Sequence, residues 1–224
     1  MAGNLLSIGK SGLFAAQVGL STTGHNIANA NVAGYSRQTV VQASAIAQDL
    51  GYGFVGSGTQ VADIKRYSDA FLNTQVRNAQ SSTSSLEAYN SQISQIDNLL
   101  ADTTAGLSPA LQNFFAGLQD LAANPSSTAA RQAVLSNAES LASRFQSLDG
   151  RLQEIRDGVN SQVTTKVTLI NSYASRIAEL NEQIGKFTLA NGNSKPNDLM
   201  DARDQLVLDL NKEIKANVTP GANN

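Results

Sequence analysis

Few residues of this chain have wide chemical reach: one histidine, His25, three aspartates at Asp198, Asp201 and Asp204, and four closely spaced glycines at Gly51, Gly53, Gly56 and Gly58. A catalytic histidine needs an orienting carboxylate and usually a nucleophile, and a metal site needs several ligands. The acid nearest to His25 in sequence is Asp49, and there is no second histidine. Capping, packing or an inter-subunit hydrogen bond is the simpler role for it. The aspartates recur every third residue and could in principle face a metal. They fall, however, in the first turns of an expected helix, where negative charge complements the helix dipole, and Arg203 beside Asp204 balances part of that charge. The glycines are followed by neither the lysine and serine of a P-loop nor a helix start, so they read as turns rather than as a phosphate cradle. With no cysteine in the chain there is also no thiolate nucleophile and no disulfide framework. No catalytic, cofactor-binding or metal-binding residue is assigned, and no enzyme activity is expected.

The bulk numbers point the same way. Sixteen basic and eighteen acidic side chains give a net charge of -2, and no window holds the Lys/Arg cluster that neutralises phosphates. Nucleic acid is not an expected partner. The longest near-apolar windows, 12–20 and 206–211, fall far short of the ~20 residues of a membrane helix, so no membrane insertion is expected. No basic residue precedes the first apolar stretch and Lys10 lies inside it, which excludes an ordinary cleavable signal. Aromatic residues make up only 5% of the chain and tryptophan is absent, a composition that suits thin, elongated helix packing better than a thick globular core.

The elements follow from periodicity. Residues 4 to about 30 predict a helix on which Leu6, Leu13, Leu20 and Ile27 recur every seven positions, alternating with the small residues Gly9, Ala16, Thr23 and Ala30. Leu5, Ile8, Phe14 and Val18 lie largely off that seam, so the helix is apolar on more than one side and needs partners. The polar stretch TTGHNIANANVAGYSRQ, residues 22–38, closes it. Residues 37–65 then favour extended structure with glycine turns, a short β-hairpin or pair of arms. A second helix is expected over about 66–102, with a coiled-coil seam through Leu72, Val76, Ala79, Thr83, Leu86, Asn90, Ile93, Asp97 and Leu100. Ser108 and Pro109 predict the start of a short helix ended at Asn124. A long helix follows from about Thr128 to Leu189, on the order of 90 Å if continuous. Its stripe runs through Leu141, Phe145, Leu148, Leu152, Ile155 and Val159 to Val163, Ile170, Ile177 and Ile184. Asn197 is placed to cap a last helix carrying Leu199, Leu206, Leu210 and Ile214. The fold class is therefore mainly α, an elongated antiparallel helical bundle or coiled coil with a short extended segment near 37–65. The expected division is an assembly region over 1–65, a helical bundle over 66–217, and at 218–224 the beginning of a connection to an outer domain.

The stretch GLFAAQVGLSTTGHNIANANVAGYSRQ resembles the N-terminal signature of the flagellar axial proteins, the rod, hook and hook-associated family. Asn26, Ile27, Ala28 and Asn29 match its Asn-Ile/Leu-Ala-Asn core, and Gly34, Tyr35 and Arg37 match its end. The stretches at 55–77, 124–135 and 197–210 resemble the hook-associated members in particular, whereas Val32 and Ala33 stand where the family often has Thr-Pro. The resemblance implies an N-terminal portion of a longer structural protein at the hook-filament junction, without cofactor, whose returning C-terminal helix would pair with the Leu6–Ile27 seam. It implies assembly through Leu6, Leu13, Leu20 and Ile27, with His25, Asn26, Asn29 and Asn31 making helix-end and inter-subunit hydrogen bonds and Gly34 taking a backbone turn that a side chain would hinder. The implied partners are further copies of the chain in a ring, the hook protein and a second junction protein, with room for an export chaperone acting through the absent C-terminal part. The implied location is the extracellular flagellum, reached through the flagellar type III apparatus without a cleavable signal. Rod or hook subunits of the same family are the alternative, and a coiled-coil scaffold unrelated to flagella is the more distant one.

Overall fold

The computed structural model describes residues 2–49, 51, 53–100, 106–190 and 194–219. Its elements in chain order are α1 (Ala2–Ala28), β1 (Gln38–Ser44), β2 (Gln48–Asp49), β3 (Phe54–Val55), β4 (Thr59–Arg66), α2 (Ala70–Leu100), α3 (Leu107–Ala123), α4 (Thr128–Ala190) and α5 (Asn197–Glu213). The fold is mainly α, with one short antiparallel arm, as its periodicity predicts. Two compact units divide it: residues 1–81 with 170–224, and residues 82–169. The end of α4 and all of α5 fall in the same unit as the N-terminal segment.

In the first unit, β1 and β4 pair antiparallel, and a shift in register between Val41 and Gln42 leaves Ala62 as an extra residue on β4. β2 and β3 pair at the far end of the same arm. The arm packs on α1 through a close approach at Gly58, which has φ +96°: a Cβ there would come 3.2 Å from the Ile8 Cα and run into the Ser11 side chain. Ser11 answers with its hydroxyl, which donates to the Ile8 carbonyl at 2.7 Å and accepts the Thr59 N–H at 3.2 Å. Gly51 and Gly53 also have positive φ, which bears out the turn reading of these glycines.

α1 has two unlike faces. The inner face runs through Ile8, Ser11, Ala15, Val18, Thr22 and Asn26, spaced three and four apart, with Ala15 and Thr22 buried and the others half-buried. Thr22 spends its hydroxyl on the Val18 carbonyl, so the inner face carries little apolar bulk. The outer face is the predicted heptad seam, and the described residues leave it uncovered: Leu6, Leu13, Leu20 and Ile27 are 72–77% exposed.

The last helix corrects the prediction. Asn197 does not cap α5; Pro196 occupies the cap position without a side-chain bond, and Asn197 is the first helical residue. Its buried residues are Met200, Asp201, Leu206, Val207 and Asn211, so the inner stripe is rotated from the expected one and Ile214 is exposed. Asn211 terminates the helix. Its amide donates to the Val207 carbonyl at 2.8 Å while its oxygen accepts the Ala216 N–H at 3.2 Å. Ile184 of α4, on the predicted stripe, is buried.

α2 begins later than expected, at Ala70, because β4 extends to Arg66 and Asp69 supplies the cap, its carboxylate accepting the N–H groups of Phe71 and Leu72 at 2.8 and 3.1 Å. The seam predicted on it lies outward: Leu72, Val76, Leu86, Ile93 and Leu100 are all exposed, and α2 has no buried residue. Heptad spacing specifies a sticky face, but not which segment covers it.

In the second unit, α3 starts one residue before Ser108, which therefore lies within the first turn and not at the cap. Asn124 does end α3, and Ser127 caps α4 by accepting the Ala130 N–H at 3.2 Å. Arg131 folds back on the Pro125 carbonyl at 2.8 Å, fixing the turn. α3 and α4 come close at Gly117, where a Cβ would stand 2.9 Å from the Asn137 amide, and that amide donates to the Asn113 carbonyl at 3.0 Å. Along the predicted α4 stripe Leu141, Leu148, Ile155 and Val159 are half-buried, whereas Phe145, Leu152 and Val163 are exposed.

Candidate assembly site

α1 ends in a chain of tight turns. The Asn29 N–H donates to the His25 carbonyl, Val32 to Asn29 and Tyr35 to Val32, which carries the backbone round to Gly34 at φ +79°. A Cβ at Gly34 would stand 2.8 Å from the Gln205 side chain, so the turn demands glycine for conformation and for space. The chain then enters β1 across the end of the helix that it has just left.

Asn26 joins the two. Its amide group donates to the Gln38 carbonyl at 2.8 Å, and its oxygen accepts the Gln38 N–H at 2.8 Å and the Tyr35 hydroxyl at 2.7 Å. A side chain thus pairs with a strand residue in both directions, as a neighbouring strand would. Gln38 is only 9% exposed and its own amide continues the chain of bonds, donating to Asp198 at 2.8 Å and accepting from Asn197 at 3.2 Å. Asn197 also donates to the Ile64 carbonyl of β4 at 2.6 Å. The residue predicted to cap α5 instead ties α5 to both strands of the arm.

The three aspartates are drawn into the same network. Asp201, almost fully buried, accepts the Ser36 N–H at 2.9 Å and the Arg66 guanidinium at 2.7 Å. Asp204 takes the other end of that guanidinium at 2.8 Å and Arg203 at 3.0 Å. Asp198 accepts from Gln38 and faces His25 Nε2 at 3.3 Å. Among the described residues no group of three histidine, cysteine or acidic side chains is arranged to hold a metal ion. The sequence accounts for these acids by capping and dipole compensation; bonds to Ser36, Gln38 and Arg66 of the N-terminal segment add to that.

His25 does have an orienting carboxylate, 173 positions away in sequence. Its Nδ1 lies 3.2 Å from the Asn29 amide nitrogen, which can only donate, so Nδ1 accepts and Nε2–H points to Asp198. The ring meets Tyr35 edge-on, with centroids 5.5 Å apart. Desolvation, followed by the negative charges of Asp198 and Asp201, holds the Tyr35 hydroxyl above the usual tyrosine range. His25, Tyr35 and Asp198 border an open groove of about 740 Å³ together with Tyr173, Leu180 and Leu206. A histidine-carboxylate pair orients a proton, but the groove lining contains no serine, threonine or cysteine for it to activate.

The structure therefore brings together His25, Asn26, Asn29, Gly34 and Tyr35. Arg37 stands at the edge, exposed, with its guanidinium 4.7 Å from the centre of the Tyr67 ring. Asn31 is exposed in the turn, apart from the bonded cluster. Leu6, Leu13, Leu20 and Ile27 lie on the other face of α1. Sequence reasoning missed Gln38, Arg66 and Asn197 as partners; a buried arginine opposite two aspartates has no short-range signature. The Asp69 cap was missed too, although an aspartate just before Ala70, Phe71 and Leu72 is a local signal that could have found it.

An apolar N-terminal helix with an uncovered seam, locked at its end by an asparagine-rich turn and continued by long helices, marks a helical protein with an apolar face left open. Residues 6–35 match the family described as flagella basal body rod protein. Residues 93–224 match the flagellar hook-associated protein FlgK helical domain, and the chain belongs to that hook-associated protein family. It is similar over 96% of its length to flagellar hook-associated protein 1 of Salmonella typhimurium, at 44% identity, and of Escherichia coli, at 41%. The protein of the same name from Bacillus subtilis is 30% identical. The chain spans about two fifths of the length of these relatives, 39–43%.

Proposed function

We infer that this chain is a structural part of the bacterial flagellum that helps form the hook-filament junction by self-assembly through α1. The observation that carries the reading is the heptad face of Leu6, Leu13, Leu20 and Ile27, large and apolar yet uncovered, in a chain whose relatives are named hook-associated proteins. Burying those four side chains against another helix is worth roughly 1.5–3 kcal/mol each, and Gly9, Ala16, Thr23 and Ala30 between them allow close approach. One such contact is modest. A closed ring of identical contacts makes a durable adaptor between two lattices, because every subunit is held from both sides.

On this reading residues 1–65 are the assembly region and the helices of 66–217 the body of the subunit. The partners are further copies of the chain, the hook protein and a second junction protein. The location is outside the cell, in the flagellum, after export by the flagellar type III route. Among the described residues no helix is long and apolar enough to cross a membrane. The role is mechanical: His25 and its neighbours serve to shape the end of α1.

Electron microscopy of cells lacking the gene, combined with an assay of flagellin in the medium, tests this. Bare hooks with flagellin shed as monomer support the junction; missing hooks would move the protein inward to the rod or hook; normal filaments would refute the reading.

A further inference from the structure

We propose that the head of α5 is a latch that sets α1 and the β1/β4 arm in their presenting geometry, with Gln38 as its positioning residue. The inner face of α1 carries so little apolar bulk that Ala15 is the only buried apolar residue among the described residues of 5–66. Apolar burial at that level contributes little to fixing a helix on a two-stranded arm, which is itself marginal in water. What holds the module is polar, and much of it comes from α5. All four hydrogen-bonding groups of Gln38 are engaged: backbone N–H and carbonyl with Asn26, side-chain nitrogen with Asp198, side-chain oxygen with Asn197. Asn197 holds the Ile64 carbonyl, and Asp201 holds both the Ser36 N–H and Arg66.

Without α5, the Gln38 amide, the Ile64 carbonyl, the Ser36 N–H and the Arg66 guanidinium all lose these partners to water, which binds them but does not tie them to one another. The slight apolar contact beneath is then all that is added to the α1–arm bonds of Asn26 and Ser11. The N-terminal module therefore reaches its bonded form only once residues about 160 positions downstream have docked. The latch itself stands without the junction reading. Its consequence rests on that reading: α1 presents its seam at a set angle only in a chain whose α5 is in place, so that self-assembly waits for the folded subunit.

Hydrogen exchange read by mass spectrometry on the whole chain tests the latch without any flagellar assay. Asn197→Ala and, separately, Gln38→Met should each accelerate exchange about tenfold or more in residues 22–44 and 59–66, and the double variant should add little to either, because one latch is broken in both. Residues 128–165, in the other unit, should exchange as in the parent. Unchanged protection of 22–44 in both variants would overturn the proposal, as would a loss confined to 194–201. Acceleration that extends equally through 128–165 would also overturn it, since the effect would then be global unfolding. If the latch passes and cells lacking the gene still keep their filaments, it is the junction reading that fails and not the latch.

Discussion

The two faces of α1 solve opposite problems. The inner face is small and polar, and its asparagine and histidine side chains are matched one by one with the arm and α5. The outer face is large, apolar and repetitive, and meets nothing in the described chain. Directional bonds of known length fix where the helix lies, whereas a heptad stripe offers affinity for any helix of matching repeat. The contrast separates folding from assembly on a single element: changes on one face should alter the subunit, and changes on the other only what the subunit joins.

Asp201→Ala should have the largest effect on the subunit. It strips a buried carboxylate from Arg66 and from the Ser36 N–H, and breaking a buried pair from one side costs about 3–5 kcal/mol. Denaturant unfolding of the whole chain would measure it; a loss under about 1 kcal/mol would mean that water replaces the carboxylate freely. Asn26→Ala should cost about 1–3 kcal/mol, since the Gln38 N–H and the Tyr35 hydroxyl lose a shared acceptor. Gly34→Val should fall in the same range, about 1–3 kcal/mol, for left-handed backbone alone, with the Gln205 contact in addition. Thermal melts would rank these two.

Leu13→Asp and Leu20→Asp stand at the far end of the scale. Both positions are exposed, so the isolated chain should keep its stability within about 0.5 kcal/mol and its full helical circular dichroism. In cells the same substitutions should abolish junction assembly, because a charge would be forced into a packed seam. Loss of helicity in the isolated chain would dissolve the distinction between the faces. His25→Ala should be mild on both counts, removing the exposed bond to Asp198 with the lesser contacts to Asn29 and Tyr35, and weakening assembly only in part.

How much of this was legible depended on sequence distance. The outer seam and the helix boundaries at Thr128 and Asn124 could be read because their causes are local, a period of seven and a capping residue. The seam on α2 is equally clear as a pattern, yet its large residues are exposed; the period tells that a face is apolar and is silent on where its cover lies. The site was half legible. His25, Asn26 and Gly34 stood out by type and by the company they kept; Asn26 finds Tyr35 and Gln38 close by, but the counterparts of His25 and Gly34, Asp198 and Gln205, lie some 170 positions away. For Asn197 and Asp201 the local explanation, a cap and a dipole, was available and incomplete, because a helix start that also binds another segment looks the same in sequence as one that does not.

The Asn26–Gln38 pair carries no net charge: every bond in it runs between amide and amide. Added salt weakens exposed charge interactions, with a screening length of about 10 Å at 0.1 M, but leaves neutral hydrogen bonds nearly untouched. The fastening of α1 to its arm is thus built from the kind of contact that holds as well in brine as in fresh water, while the guanidinium-carboxylate contacts beside it are sheltered from ions by their own burial.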